Sequence, residues 1–377
     1  MRNKISIVTD TYLPFLGGAE IHVKNLAKFL QGNNDVEIFT NAPGEESVDG
    51  IKVVRNKKIN KFFRLFCDTK SLYLFIKKAD IVHGHYTFYL SFLSSIIARL
   101  LRKPFVVTLH GLGTLDSSVD KHWVRNVFRY VSLKLSSAVI ATSDEMAEVA
   151  TRFVPKHKIH IITNGVDTNY FKPTHIEKQT NKFVVFSVRR LNPKNGVQYL
   201  IEAIPEIVKE CQDAEFWITG KDKLEEKLKE RVKELGVEKN VRFIGMIPNE
   251  NLIGYFNDAD VVVFPSSAES TSIACLESMS MEKAIVASAL SAYKTMLGND
   301  ERGLMVKLFD REFSDYNAPS KLPSDKIKLL SDSIIRLYND KELKNELGKK
   351  ARKYAVENFD WRVLIRRLEL IYKDLIK

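Results

Sequence analysis

What most constrains this chain is a repeated alternation of short apolar runs with longer amphipathic segments. In the first half Lys4–Thr9, Asp35–Thr40, Ile51–Arg55, Phe105–Leu109, Ala138–Thr142 and Ile159–Ile162 read as strands, and Ala79–His85 as a strand with its exit loop. A second series runs through Phe183–Val188, Glu215–Thr219, Val241–Ile244, Val261–Phe264 and Ala284–Ala287, with helices predicted over Lys223–Leu235, Asn249–Ala259 and Thr271–Met281. Apolar strands joined by helical crossovers build parallel sheets covered on both faces. Two such series predict two doubly wound α/β domains with a cleft between them. The 377 residues are too many for one core. Polar Thr174–Asn181 reads as the linker, and three helices close the chain, the last two broken apart at Phe359-Asp360-Trp361.

One stretch carries chemistry. Glu269-Ser-Thr-Ser-Ile-Ala-Cys-Leu-Glu277 follows the strand Val261–Phe264 and opens a helix. Glu269 falls at the mouth of that helix. Glu277 falls about two turns in, because eight residues at ~1.5 Å rise cover only ~12 Å. The amides of Thr271, Ser272 and Ile273 are early donors without intrahelical acceptors, and a helix start at a strand's carboxyl end suits a phosphate. Two carboxylates around a phosphate suggest a sugar nucleotide, one for the sugar and one for the ribose.

Other loops repeat the arrangement more weakly. Gly17-Gly18 precedes an amphipathic helix and permits close backbone approach, although a simple turn also explains it. His83 and His85 could ligate a metal, but no third ligand stands near them in the sequence, and loop histidines of structural or substrate-contact type fit better. Phe105–Leu109 delivers His110 and Gly111 at its carboxyl end, where ligands bind in open parallel sheets. Arg189, Arg190 and Lys194 follow another strand and suit a diphosphate. Asp258-Ala-Asp260 precedes a buried strand and reads as a helix end and surface acid rather than a metal site.

Composition narrows the class. Three scattered cysteines argue against a disulfide framework or zinc site and fit a reducing compartment. Met1-Arg-Asn-Lys4 runs directly into a strand pattern, which predicts no signal peptide. Phe88–Leu101 is too short to span a bilayer. The net charge of +11 is lopsided: residues 1–172 hold 24 Lys and Arg against 15 Asp and Glu, and residues 173–377 hold 34 against 32. The basic half suits an anionic partner or is simply a solvated surface. Lys57, Lys58, Lys61 and Arg64 lie among aromatic residues, in the composition of an interfacial segment or of a helix packed on the sheet. No module supports nucleic-acid binding.

In chain order, Gly17-Gly18-Ala19-Glu20, Asp80-Ile-Val-His83-Gly-His85, Thr108-Leu-His110-Gly111, Asn164-Gly-Val-Asp167, Arg190–Pro193 and the Glu269–Glu277 pair resemble the motifs of one family. It is the retaining nucleotide-sugar glycosyltransferases of family four, whose GT-B fold sets two Rossmann-like domains face to face across a cleft. The resemblance spans essentially the whole chain, and the spacing of Glu269 and Glu277 is its most specific element.

The resemblance implies an acceptor-side domain over 1–172, a donor domain over 173–358 and a last helix, 359–377, that returns to the first domain. It implies that Gly17 and Gly18 admit the donor phosphate and that His110 contacts the donor sugar at the reacting region. Arg190 and Lys194 would pair with the diphosphate, and the Thr271, Ser272 and Ile273 amides would hold it. Glu269 would bind the transferred sugar and Glu277 the ribose. No metal and no cofactor beyond the sugar-nucleotide substrate is implied. The acceptor is expected to be a lipid-linked or surface glycan on the cytoplasmic side, with peripheral membrane attachment. The alternatives are a sugar-phosphate synthase with a soluble acceptor and a catalytically silent nucleotide-binding subunit. Four departures from the pattern stand out. Arg189 occupies the usual glycine position, and Asn195 the usual lysine position. Ser270-Thr271-Ser272 replaces Gly-Phe-Gly, and the later Gly-Gly-x-Pro-Glu turn is replaced around Ser291–Lys294.

Overall fold

Buried β-branched and aromatic runs become the strands, and nearly all of them pair in parallel. The computed structural model describes residues 2–15, 17–56, 61–110, 123–174, 177–310 and 318–376. They fall into two compact units, one of residues 1–165 with 361–377 and one of residues 166–360.

The first unit runs β1 (Lys4–Thr9), α1 (Gly18–Leu30), β2 (Asp35–Thr40), β3 (Ser47–Val48), β4 (Ile51–Arg55), α2 (Lys61–Lys77), β5 (Ile81–His85), α3 (Tyr89–Leu100), β6 (Phe105–Leu109), α4 (Trp123–Leu135), β7 (Ala138–Ala141), α5 (Asp144–Ala150) and β8 (Ile159–Ile161). Its sheet order is β3-β4-β2-β1-β5-β6-β7-β8, parallel except for β3 against β4. Side chains alternate across each strand. Ile5 and Ile7 therefore pack with Val23, Leu26 and Leu30 of α1, whereas Val8 packs with Leu90, Leu93 and Ile97 of α3. The strand order reverses between β1 and β5, so the crevice at their carboxyl ends is where an open sheet takes a ligand.

The second unit runs β9 (Phe183–Val188), α6 (Val197–Glu210), β10 (Ala214–Thr219), α7 (Glu225–Glu234), β11 (Val241–Gly245), α8 (Leu252–Asp258), β12 (Val261–Phe264), α9 (Ile273–Ser280), β13 (Ala284–Ser288), α10 (Ser291–Leu297), β14 (Leu304–Val306), α11 (Ser324–Asn339) and α12 (Lys341–Asn358). Its order, β11-β10-β9-β12-β13-β14, is that of a dinucleotide-binding domain, and it reverses between β9 and β12. Val184 and Phe186 face Phe256, Leu276 and Met279, while Phe183 and Val185 face Leu200, Ile204 and Leu330.

The last helix, α13 (Trp361–Ile376), belongs to the first unit. Trp361, Leu364, Ile365, Leu368 and Tyr372 recur at helical spacing and join the core that holds Ile5 and Val23. The units divide after Gly165 and after Asp360, whereas the sequence suggested 172 and 358. The reason is packing: Val166, Phe171 and Phe359 are buried in the second unit's core.

One helix start is corrected, and one strand is added. The helix expected from Thr271 begins at Ile273, because Ser272 is extended and caps it. β14, three residues long, is too short to show a period in the sequence.

Candidate active site

The loops at the carboxyl ends of β9 and β12 are built as one piece. Ser267 N donates to the Lys194 carbonyl at 2.8 Å. Gly196, at φ +73°, approaches Pro265 so closely that a Cβ would lie 1.9 Å from its carbonyl oxygen. Arg189 sits at the centre of this junction, with its side chain 8% exposed. Its Nη2 lies 2.7 Å from each of Glu269 Oε2, Ser266 Oγ and Asn195 Oδ1, three acceptors for two protons. Nη1 donates to Ser272 Oγ at 3.1 Å, and the guanidinium lies over the Phe264 ring. Tyr293 closes the back, with its hydroxyl 3.3 Å from Ser266 Oγ.

The helix start stands beside this cluster. Ser272 Oγ accepts from Cys275 N at 3.3 Å, which leaves the first-turn amides of Ile273 and Ala274 without intrahelical acceptors. Of the three amides expected to bind phosphate, only that of Ile273 lies in the helix. Thr271 and Ser272 precede it. Glu269 Oε1 accepts from Ser270 N at 3.1 Å, so this carboxylate is held from both ends. Glu277 is buried. Burial pushes its carboxyl up to about 8, against a hydrogen bond from the Asn249 side chain that favours ionisation.

The basic residues divide differently from the sequence expectation. Arg190 is exposed and Lys194 half-buried, while Arg189 makes the contact with Glu269. Asp258 and Asp260 are not surface acids. Asp258 Oδ1 accepts from Gln179 N at 2.9 Å, and Asp260 is paired with Lys178 and Lys344 and accepts from Val184 N. Both carboxylates are thus committed to the fold.

In the first unit, residues i and i+2 of a strand share a face, so β5 places His83 and His85 side by side. They are buried inside the strand and not in an exit loop, because the parallel neighbours β1 and β6 cover both edges. His83 Nδ1 pairs with the Tyr372 hydroxyl at 2.5 Å and Nε2 with Thr108 Oγ1 at 2.7 Å. His85 Nδ1 pairs with His110 Nε2 at 2.9 Å. The rings of His83, His85 and His110 form a near-parallel stack, and His22 of α1, bonded to Asn164 Oδ1, packs edge-on against it. Burial lowers every one of these rings, His22 to about 4 and His83 to about 3, with His85 and His110 well below the usual value. At neutral pH the cluster is uncharged. One ring nitrogen from each of His22, His85 and His110 lies within 4.8 Å of the others, so the third potential ligand that the sequence did not reveal is present. Here His85 and His110 spend a nitrogen on each other.

Gly17 caps α1 and Gly18 begins it, and a Cβ on Gly18 would meet nothing within 4 Å. Gly111, Lys57 and Lys58 lie outside the described residues, and Lys61 and Arg64 fall in the first turn of α2.

Two family models divide the chain at the same place as its sheets. Residues 16–170 match "Glycosyltransferase Family 4", and residues 171–317 match "Glycosyl transferases group 1". The chain belongs to the group 1 glycosyltransferases. An uncharacterized glycosyltransferase of Methanocaldococcus jannaschii is 26% identical over 98% of both chains. A phosphatidylinositol N-acetylglucosaminyltransferase subunit of Arabidopsis thaliana is 24% identical over 99% of this chain and 82% of that one. The solved structure of Anabaena HepE in complex with UDP superposes with a TM-score of 0.80 at 19% identity, over 98% of this chain and 100% of that one. HepE has also been solved with UDP-glucose.

This glycosyltransferase therefore has the GT-B fold and is an enzyme of sugar transfer. Sequence reasoning missed the joint roles of Arg189, Ser266, Asn195, Asn249 and Tyr293 in shaping its second-unit site. The signals available were that Arg189 and Asn195 depart from the family pattern and that Tyr293 lies in the replaced turn around Ser291–Lys294.

Proposed function

We propose that this enzyme moves a sugar from a nucleoside diphosphate sugar to a hydroxyl of a lipid-linked or surface-glycan acceptor, with retention of configuration and without a metal ion. The observation that carries the reading is the placement of Glu269 and Glu277 about the start of α9 at the β9/β12 switch point. In this reading Glu269 binds hydroxyls of the transferred sugar and Glu277 binds the ribose. Arg190, Lys194 and the Ile273 amide receive the diphosphate. Gly17 and Gly18 leave backbone open to phosphate, and His110 contacts the reacting sugar as a neutral ring.

The bond from the anomeric carbon to the phosphate oxygen breaks, and its electron pair stays on the diphosphate. Cations and helix amides stabilise that charge without reorganising, the service a metal would otherwise supply. The acceptor oxygen bonds to the anomeric carbon on the same face, and its proton passes to the departing phosphate. The UDP and UDP-glucose complexes of HepE support a nucleotide-sugar donor.

A peripheral membrane site on the cytoplasmic side fits the surface of the first unit. Trp123, Val127 and Tyr130 of α4 are exposed at helical spacing, and the adjacent Tyr73 and Leu74 of α2 are exposed as well. Among the described residues no helix is long and apolar enough to cross a membrane.

Calorimetry against UDP, GDP, ADP and their sugar conjugates tests the donor. One nucleotide should bind tightly to the wild type and not to Glu277→Ala, and turnover of its sugar conjugate should survive EDTA. Failure to bind any of them sinks the reading. Vesicles containing anionic lipid test the membrane surface: attachment should weaken when Lys57, Lys58, Lys61 and Arg64 are neutralised, and unchanged attachment removes that part.

A further inference from the structure

Arg189 stands where the family pattern has glycine, and Asn195 stands where it has lysine. In the folded chain these two departures meet, with Arg189 Nη2 2.7 Å from Asn195 Oδ1. We infer that Arg189 is a donor-binding residue whose guanidinium supplies, from the end of β9, the diphosphate-binding charge that the pattern places at position 195. The inference rests on the nucleoside diphosphate sugar reading above and deepens it.

Three features of the site carry the assignment. The guanidinium lies at the β9/β12 switch point, where its Nη1 is bonded to Ser272, the residue that caps α9. A cation and a helix start therefore converge on one place, the combination that favours a phosphate. The ion pair with Glu269 is nearly buried, and burying such a pair costs more in desolvation than its attraction returns unless every donor is used. Yet Arg189 Nε is buried without an acceptor while Nη2 is oversupplied. As a device for stability alone this is poor. As a site that takes a further anion it leaves a donor in reserve. Finally, arginine suits the position chemically, because its planar fork stays charged when buried and can hold Glu269 and a phosphate oxygen on different edges.

Swapping the charge back is the decisive test. Wild type, Arg189→Gly, Arg189→Gln, Asn195→Lys and the double variant Arg189→Gly with Asn195→Lys are titrated with UDP, GDP and ADP and with the matching nucleosides. Both single changes at Arg189 should weaken the bound nucleoside diphosphate by about tenfold or more and leave the nucleoside unaffected. Lysine at position 195 should restore the glycine variant to within about threefold of wild type. Equal losses for nucleotide and nucleoside, with no rescue, would overturn the assignment and make Arg189 a structural residue. Full affinity in both Arg189→Gly and Arg189→Gln would overturn it as well. If wild type binds none of the three nucleotides, the donor reading itself fails and this inference with it. Arg189→Gln retains bulk and hydrogen-bonding groups, so the comparison holds even if the glycine variant does not fold.

Discussion

Gly196 has no space for a side chain, because a Cβ there would lie 1.9 Å from the carbonyl oxygen of Pro265. The contact joins the loop after β9 to the loop after β12, and the Ser267–Lys194 backbone bond reinforces it. The backbone at Gly196 is also left-handed, at φ +73°. Gly196→Ala should therefore cost about 2 kcal/mol or more, the left-handed penalty plus displacement of Pro265. Urea denaturation measures the loss, and nucleotide affinity should fall with it, since both loops carry the candidate donor residues. An alanine variant of unchanged stability would show that the loops are not locked.

Glu277 should give the second unit an unusual pH response. The folded carboxyl keeps its proton up to about 8, while the unfolded one releases it near 4.5. Between those values the folded state binds more protons, so this group's contribution to stability falls as pH rises. The ceiling is on the order of 5 kcal/mol, from the size of the shift. Glu277→Gln should thus be more stable than wild type at pH 8, with the difference shrinking toward pH 5, while nucleotide binding is lost. Equal stability of the two proteins at both pH values would contradict the burial argument.

His22 acts with the opposite sign. Burial holds the folded ring to about 4, below the ordinary 6.5. Between those values the unfolded state binds more protons, so this contribution to stability rises with pH and disappears as pH falls through that window. Its size is about 3 kcal/mol. Tryptophan fluorescence should report acid unfolding of the first unit below about pH 6, and His22→Gln should move that transition to lower pH. Because burial also holds His110 well below the usual range, turnover should show no histidine inflection near neutrality.

Trp361 anchors the returning helix. It is fully buried, stacks near Phe29 and lies against Gly165, where a Cβ would come within 2.8 Å of its ring. Trp361→Ala should cost about 3–5 kcal/mol. Gly165→Ala should be destabilising through the same contact. Chemical denaturation followed by far-UV circular dichroism checks both, and a loss below about 1 kcal/mol for Trp361→Ala would mean that α13 contributes little.

Most of the secondary structure was legible because it depends on local pattern. Lys4–Thr9, Asp35–Thr40, Phe183–Val188 and Val261–Phe264 are strands over the residues that their apolar runs predict. The break read at Phe359-Asp360-Trp361 falls between the helices Lys341–Asn358 and Trp361–Ile376. The two-sheet architecture followed from those runs, since buried parallel strands require helical crossovers. The family followed from the ordered motifs, with the Glu269–Glu277 spacing the most telling.

What the chain alone determined were the elements, their alternation and the residue types delivered to each strand's carboxyl end. Tertiary structure alone decided which of these groups meet. Arg189 rather than Arg190 reaches Glu269, because the chain leaves β9 with Arg189 turned into the junction and Arg190 turned to solvent. His22 joins His85 and His110 from more than sixty residues away, because β1, β5 and β6 are neighbours in the sheet. Burial raises the Glu277 carboxyl to about 8, which no local pattern states. Strand periodicity is a local property of neighbouring residues, whereas desolvation, ion pairing and the close approach of two loops depend on groups that are near only after folding.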